Sequence, residues 1–210
     1  NIPPVSQSYN EEGKYVWLPI DESSVNNPWH IWMDVIAKMR LLEKRLGLTY
    51  KDFVYIMPNK SEYFEKVIQE IMPDLRLIIM PKNSTWKFRH LYVPSMCNHD
   101  DGVIVPQSIS WIRSRFLHKS VKPPHRKLFI DRGKGSRKLS NKEEIFAILK
   151  GWEVLRLEEM SIIDQLTAFA EATHIAGTHG AGLVNLLWCM GGTKVIEIVH
   201  KYTAKKVYPN

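Results

Sequence analysis

Three glycines and a histidine lie close together in residues 177–183, between two apolar stretches. Glycine lets main-chain N–H groups approach an anion, and the first turn of a following helix adds positive potential. A pyrophosphate group fits such a place. The glycines stand at 177, 180 and 182, which is not the G-x-G-x-x-G spacing of dinucleotide-binding proteins, so a nicotinamide-dependent oxidoreductase is disfavoured. For the glycines alone, a tight turn with close strand–helix packing is an equal alternative.

His179 and the arginines of a second segment strengthen the hypothesis of an anion site. His179 is predicted at the carboxyl end of a strand, which in open α/β sheets faces the ligand-binding crevice, and it could donate to a phosphate oxygen. Arg132 directly follows the strand predicted over residues 127–131, and Arg137 lies farther along the same basic loop. Arginine offers a bidentate fork to phosphate. We interpret Lys134 and Lys138 of this loop as solvated charges.

A histidine and an aspartate four residues apart, His30 and Asp34, share one face of a predicted helix. Such a pair can act as a base and its orienting group for an acceptor hydroxyl. The spacing also suits two metal ligands, but no further ligand follows at a matching spacing, so a metal site is not favoured. For the pair alone, a polar pair that caps the helix is the favoured interpretation. Asp100 and Asp101 resemble a metal-binding carboxylate motif, but the adjacent Gly102 favours a turn.

Hydrophobic periodicity in the first half predicts the elements that position His30 and Asp34. Helices are predicted over residues 29–46, 62–72 and 108–117, and strands over 14–20, 53–57, 75–80 and 91–93. Gly47 marks the end of the first helix. Strands that alternate with helices predict a parallel sheet with helices on its faces.

The second half has a more regular alternation, which predicts the wiring βαβαβαβ of a doubly wound nucleotide-binding domain. Strands are predicted over residues 127–131, 152–157 and 194–199, with a further short strand that ends at 175–176, and helices over 140–150, 161–172 and from 183 onward. Ser140 and Glu143 have the spacing of a capping box. Because the carboxyl ends of parallel strands meet at one edge of a sheet, we expect Arg132 and His179 to face the same crevice.

The sequence therefore predicts an α/β protein with two domains. We assign residues 1–106 to an N-terminal Rossmann-like domain, 107–125 to a helix and linker, and 126–210 to a C-terminal nucleotide-binding domain. The linker is indicated by the Pro-Pro pair at 123–124.

The composition limits the class of partner. The chain of 210 residues has a formal net charge of +7 and a pI near 9.3. Such a charge suits nucleic acid, an anionic membrane or phosphorylated small molecules, but on charge alone a cationic, solvated surface is the preferred interpretation. The basic residues are densest between 119 and 138. We find no aromatic RNA-binding pattern, zinc knuckle or helix-turn-helix spacing. The sequence contains no apolar run of the roughly 18 residues that predict a membrane-spanning helix.

The order of these motifs resembles glycosyltransferase family 61, also described as the DUF563 family. The C-terminal half carries the resemblance in residues 129–132, Arg137, residues 141–144, Gln165, residues 179–185 and residues 192–197. The N-terminal half carries it more weakly in Asn27, His30, Asp34, residues 41–42 and residues 93–95. The resemblance covers roughly residues 27–199.

Membership of this family implies a GT-B fold, in which two Rossmann-like domains with mainly parallel sheets face a cleft. It implies inverting transfer of a sugar, xylose first and GlcNAc next, from a UDP-sugar to a glycan or glycoprotein hydroxyl. His30 or Asp34 would be catalytic, near the acceptor. The donor site would contain Arg132, Arg137, Asn141, His179, Gly180, Ala181, Gly182, Asn185 and Glu197. No cofactor would be required, and a divalent metal is possible but not expected.

Two alternatives remain open from the sequence. A relative that binds a sugar nucleotide or a glycan without turnover would show the same residues. The basic segment 119–138 would also suit a nucleic-acid-binding module, although no nucleic-acid partner is expected under the glycosyltransferase hypothesis.

Overall fold

A computed structural model describes residues 5–9, 13–95, 105–117, 121–133 and 139–199. The chain divides into two compact units, Asn1–Phe116 and Leu117–Asn210. The first unit ends within the segment 107–125, which the sequence predicts to connect the two halves. Both units combine parallel strands with helices, so the predicted α/β class is confirmed.

The first unit contains a four-stranded parallel sheet in the order β4-β3-β2-β6. Its strands are β2 (Tyr15–Trp17), β3 (Val54–Met57), β4 (Arg76–Ile79) and β6 (Leu91–Tyr92). A separate parallel pair, β1 (Val5–Tyr9) with β5 (Thr85–Phe88), was not expected from the sequence. Both of its strands are short and their pairing joins residues about eighty positions apart, so no local window contains the signal.

One continuous helical segment, residues 28–46, follows β2 along the chain. It consists of α1 (Pro28–His30), a π-helical stretch (Ile31–Ile36) and α2 (Ala37–Leu46). The π-helical stretch was not predicted; five of its six residues are buried, so its apolar surface is wider than the single stripe of a regular amphipathic helix. Gly47 ends the segment in the left-handed conformation, with φ of 65°, which confirms the predicted stop.

Two further helices complete the first unit. The helix α3 (Glu62–Ile71) begins at Ser61, whose hydroxyl accepts from the Phe64 amide at 3.0 Å. The helix α4 (Pro106–Phe116) packs on α2, where Trp111 donates to the Glu43 carboxylate at 2.6 Å. The buried side chains around these elements include Trp32, Tyr55 and Phe64, which form the core of this unit.

The second unit contains a four-stranded sheet in the order β10-β9-β7-β8, and all of its pairs are parallel. The strands are β7 (Arg126–Ile130), β8 (Glu153–Leu155), β9 (Ala172–Thr178) and β10 (Lys194–Ile198). The connecting elements are α5 (Lys142–Ile148), a 3₁₀ turn (Leu157–Glu159), α6 (Ile162–Ala170) and a 3₁₀ helix (Ala181–Trp188). The element after residue 180 is thus a 3₁₀ helix and not the expected α-helix.

The N-termini of the two α-helices in the second unit differ in how well they match the predictions. Ser161 caps α6 by accepting from the Asp164 amide at 3.0 Å, at the start of the helix predicted over residues 161–172. The predicted capping box at Ser140 and Glu143 is wrong, because α5 begins later, at Lys142, and its N-cap Asn141 makes no side-chain cap hydrogen bond. The Asn141 amide instead donates to the Glu144 carboxylate at 3.2 Å.

The strand order places a topological switch point at the centre of this sheet. The chain passes from β7 outward to β8, and then returns to the other side of β7 to form β9 and β10. In open α/β sheets, ligands bind beside the carboxyl ends of the strands where the order reverses. The carboxyl ends of β7 and β9 are therefore the place to look for a site. None of the helices in the described ranges is long and apolar enough to cross a membrane.

Candidate functional site

Three neighbouring strands end at one level of the second sheet. Ile130, the last residue of β7, pairs with Gly177 of β9, and Gly177 pairs in turn with Glu197 of β10. The residues that follow β7 and β9 therefore leave the sheet side by side. This register brings Arg132, His179 and Glu197 to the same edge, as the sequence predicted for the first two.

The guanidinium group of Arg132 lies against the glycine loop. Its Nη1 donates to the main-chain carbonyl of His179 at 3.0 Å. A methyl group at Gly180 would lie only 2.0 Å from Nη1, so the absence of a side chain there makes room for the guanidinium. The loops after β7 and β9 are thus joined by one hydrogen bond and one close contact.

His179 is oriented by a carboxylate from the neighbouring strand. Its Nδ1 lies 2.7 Å from Oε1 of Glu197, and its main-chain amide donates to the Ile198 carbonyl at 2.9 Å. Both side chains are about one-quarter exposed. A ring whose Nδ1 proton is held by a carboxylate presents Nε2 as an acceptor when neutral and as a donor when protonated.

A buried network of amide side chains holds the 3₁₀ helix that follows the glycine loop. Asn185, which is 3% exposed, donates to Oε1 of Gln165 at 3.0 Å and accepts from the indole of Trp188 at 3.2 Å. Gln165 donates in turn to the Leu157 carbonyl at 2.9 Å. Asn185 therefore holds the helix that begins at Ala181, and its predicted contact with a donor stays a prediction.

Close packing surrounds the same loop. A methyl group at Gly182 would lie 2.9 Å from Cδ1 of Leu157, so this glycine lets the loop approach the 3₁₀ turn after β8. Just before the loop, the hydroxyl oxygen of Thr178 is buried and has no hydrogen-bond partner in the described part of the chain. Glycines 177, 180 and 182 thus each face a different neighbour, and only Gly180 faces a cationic group.

A charged cluster beside Arg132 was not singled out from the sequence. The Asp131 carboxylate is mostly buried and lies 2.5 Å from Nζ of Lys142 and 3.4 Å from Nε of Arg156. Its hydrogen bond is the main cause that raises the pKa of Arg156 above its ordinary value. The signal in the sequence was an acidic residue placed directly between a buried strand and Arg132. Asn141, also predicted as a site residue, lies exposed immediately before Lys142.

The histidine–aspartate pair predicted in the first half is formed. Nδ1 of His30 lies 2.6 Å from Oδ2 of Asp34, which confirms that the two residues share a helix face. Asn27 caps the start of this helix by accepting from the Trp29 amide at 3.0 Å. The pair lies where α1 passes into the π-helical stretch, and such π-bulges frequently mark functional positions.

A partly buried hydrogen bond from Trp32 joins the π-helical stretch to α3. The indole of Trp32 donates to the hydroxyl oxygen of Tyr63 at 3.1 Å. Burial raises the pKa of Tyr63 to about 12, so this hydroxyl stays neutral over the physiological range. Tyr63 thus serves as a fixed partner of the helix.

Several predicted residues lie outside the described ranges. They are Arg137, Lys134, Lys138, Asp100 and Asp101. Within the described ranges, no group of three or more His, Cys, Asp or Glu side chains is arranged to hold a metal ion.

Comparison with known proteins gives two findings. The model of the family Glycosyltransferase 61 matches residues 29–196. A β-1,2-xylosyltransferase of Oryza sativa subsp. japonica, RCN11, is 34% identical over 77 residues, which cover 32% of this chain and 14% of the rice protein. The aligned part is thus a small fraction of that relative's length.

Proposed function

This chain belongs to the glycosyltransferase 61 family, and from that premise we propose that it is an inverting glycosyltransferase that uses a UDP-sugar. The family match spans most of the chain and includes both the His30–Asp34 pair and the Arg132–His179 loop. We propose a GT-B arrangement in which the second unit binds the donor and the first unit receives the acceptor.

The donor diphosphate is assigned to the carboxyl ends of β7 and β9. The observation that carries this assignment is the contact of the Arg132 guanidinium with the His179 carbonyl and with Gly180 at the topological switch point. A guanidinium held in one plane offers a geometrically fixed positive charge to a phosphate. The charge on the diphosphate increases as the sugar leaves, so a preorganised cation stabilises the transition state more than the bound donor.

The acceptor hydroxyl is assigned to the His30–Asp34 pair. Asp34 holds Nδ1 of His30, so Nε2 takes the proton from the acceptor hydroxyl. The acceptor oxygen then forms a bond to the anomeric carbon on the face opposite the diphosphate. The bond from that carbon to the diphosphate oxygen breaks, UDP leaves with the electron pair, and the configuration inverts.

Xylose is the donor sugar that we favour and GlcNAc is the next candidate, with a glycan or glycoprotein as acceptor. The partial match to a rice protein named as a β-1,2-xylosyltransferase supports this order. Because Arg132 can supply the charge that the leaving group needs, we propose transfer without a divalent metal.

Calorimetric titration of UDP, with and without Mn²⁺, tests the donor site. We expect Arg132→Ala to raise the Kd of UDP at least tenfold, which corresponds to about 1.4 kcal/mol. Lys127→Ala is the matched control, because it removes one exposed cation from the opposite end of the same strand.

The outcomes separate the hypotheses. Folded wild-type protein that binds neither UDP nor UDP-sugars would overturn the proposal, and a salt-sensitive gel shift would then support the basic-module alternative. Binding of UDP-xylose or UDP-GlcNAc without turnover on any acceptor of a glycan panel would indicate an inactive relative. Turnover with inversion, read by NMR of the product, supports the full proposal.

A further inference from the structure

The short helix α5 has few contacts that could hold it on the sheet. It spans seven residues, none of them buried, and its N-cap residue makes no side-chain hydrogen bond. A helix of this length is not stable by itself in water. Its first residue, Lys142, places a positive charge at the positive end of the helix dipole, whereas Glu143 and Glu144 of the same turn are favourable there. Contacts with the region of β7 therefore contribute to holding α5 on the sheet.

Two contacts join one face of α5 to one face of the β7 region. Phe129 of β7 packs edge to face on Phe146 of α5, with ring centroids 5.5 Å apart. Asp131, two residues farther along the same strand direction and hence on the same face, pairs with Lys142 at 2.5 Å. Lys142 and Phe146 are four residues apart, and the Lys142 ammonium lies 5.3 Å from the Phe146 ring.

The Asp131–Lys142 ion pair also connects two residues that flank a basic segment of the chain. Asp131 immediately precedes Arg132, and Lys142 immediately follows Asn141. The ion pair thus joins the residues on either side of the basic segment 132–141. The Asp131 side chain is 9% exposed and Lys142 is 30% exposed, so the pair is partly shielded from solvent. Arg156 is a weaker second partner, since it lies 3.4 Å from Asp131 and also reaches Glu159.

We propose that Asp131 is a positioning residue for the donor site. Its ion pair with Lys142, called the clasp below, holds together the two ends of the basic segment 132–141 and so fixes Arg132 and Asn141. The inference rests on the proposed donor function, but the clasp itself is a property of the protein without ligand. Asp131 touches neither phosphate nor sugar in this scheme. Its loss leaves the charge of Arg132 intact and removes the order of the groups around it.

Hydrogen–deuterium exchange of the protein without ligand tests the clasp directly. In Asp131→Asn and in Lys142→Gln, we expect faster exchange in peptides that cover residues 139–148, with the β9 and β10 peptides unchanged. Arg156→Gln should change the same peptides less. Unchanged exchange in both Asp131→Asn and Lys142→Gln would overturn the proposal. Lys142→Gln serves as the second variant if the substitution of the buried carboxylate prevents folding.

Titration of UDP with the same variants tests the functional consequence. We expect each single variant to raise the Kd about three- to tenfold, and the double variant to raise it no further than the worse single one. Lys127→Gln controls for the loss of one positive charge. Additive losses in the double variant would instead mean that Lys142 contacts the donor directly, which overturns the positioning role.

The two proposals fail in different ways. Wild-type protein that does not bind UDP would contradict the donor site, whereas the exchange experiment would still report on the clasp. Faster exchange with unchanged UDP affinity would leave the donor site standing and overturn the positioning role of Asp131.

Discussion

Nη1 of Arg132 lies 3.0 Å from the main-chain carbonyl oxygen of His179, although the two residues are 47 positions apart in the chain. The bond joins the loops that leave β7 and β9 at the point where the strand order reverses. The guanidinium therefore links the two loops.

Gly180→Ala is expected to weaken binding of UDP about tenfold, as Arg132→Ala does. The added methyl group would lie 2.0 Å from Nη1, so the guanidinium must leave its place on the loop. The end of an arginine side chain is flexible, and the fold should change little. Calorimetric titration of UDP measures the loss of affinity. An unchanged Kd would show that this seat is not needed for the donor.

Gly177→Ala is the matched control, because the same methyl group is added three residues earlier, inside β9. Here it would lie 3.0 Å from Cβ of the buried Ile130 and 3.3 Å from its carbonyl oxygen. Neither atom can swing away, so we expect a loss of about 1–3 kcal/mol in the free energy of unfolding. Denaturant unfolding measures it. Equal effects of both alanines on stability would refute the distinction.

Asn185→Ala should lower the free energy of unfolding, and it should not change the affinity for UDP directly. It removes the buried hydrogen bonds that Asn185 makes with the Trp188 indole and the Gln165 amide oxygen, at a cost of about 1–3 kcal/mol. Asn141→Ala is the matched substitution at an exposed position and should change stability by less than about 0.5 kcal/mol. If Asn141 binds the donor, its variant loses UDP affinity instead. Thermal unfolding and calorimetry on both variants distinguish these roles.

Substitutions of Glu197 should weaken UDP binding in a graded order. The glutamine variant keeps an acceptor for Nδ1 of His179 but loses the charge, and charge-assisted hydrogen bonds are about twice as strong as neutral ones. The alanine variant loses both, so we expect a larger increase in Kd for Glu197→Ala than for Glu197→Gln. In a His179→Ala background, Glu197→Ala should have little further effect. A full additional loss there would mean that Glu197 acts on the donor independently.

The His30–Asp34 pair should affect turnover and not donor binding. We expect His30→Ala and Asp34→Asn each to lower kcat by a factor of about 10² to 10⁴, with the Kd of UDP unchanged. Asp74→Asn makes the same chemical change at an exposed carboxylate of the same unit and should leave kcat unaltered. Steady-state transfer assays measure kcat. Full activity in both variants would remove the pair from the mechanism.

The second unit should lose part of its stability in acid through Glu153. The hydrogen bond from Arg126, 2.6 Å between Nη2 and Oε2, is the main cause that lowers the pKa of Glu153 below its ordinary value of 4.5. A depressed pKa in the folded state means that the stabilisation is present above about pH 4.5 and is lost as the pH falls through the folded value. Glu153 is half-exposed, so solvent screening limits the effect to less than about 1 kcal/mol.

Thermal unfolding between about pH 3 and pH 7 measures this dependence. Glu153→Gln should have a lower Tm than the wild type at neutral pH, and its Tm should fall less in acid. Curves that stay parallel over the whole range would show that the pair contributes no pH-dependent stability.

Local signals in the sequence determined the class, the order and most of the elements of this protein. Apolar residues at steps of three or four mark the helix that ends at Gly47, and short apolar runs mark β3 and β7. The positions of Arg132 and His179 directly after strands were enough to predict a shared edge. Such features depend on backbone conformation within a few residues, which side-chain size, branching and capping largely fix.

Tertiary structure decided which of these elements meet. The pairing of β1 with β5, the hydrogen bond of His179 to Glu197 and the burial of Asn185 all join distant parts of the chain. The role of Asp131 depends on the register that places it opposite Lys142. These contacts arise from side-chain complementarity across strands and helices, and no local window of sequence contains both partners. The sequence alone thus determined the groups that could act, whereas the three-dimensional packing decided which of them are held in place by a partner.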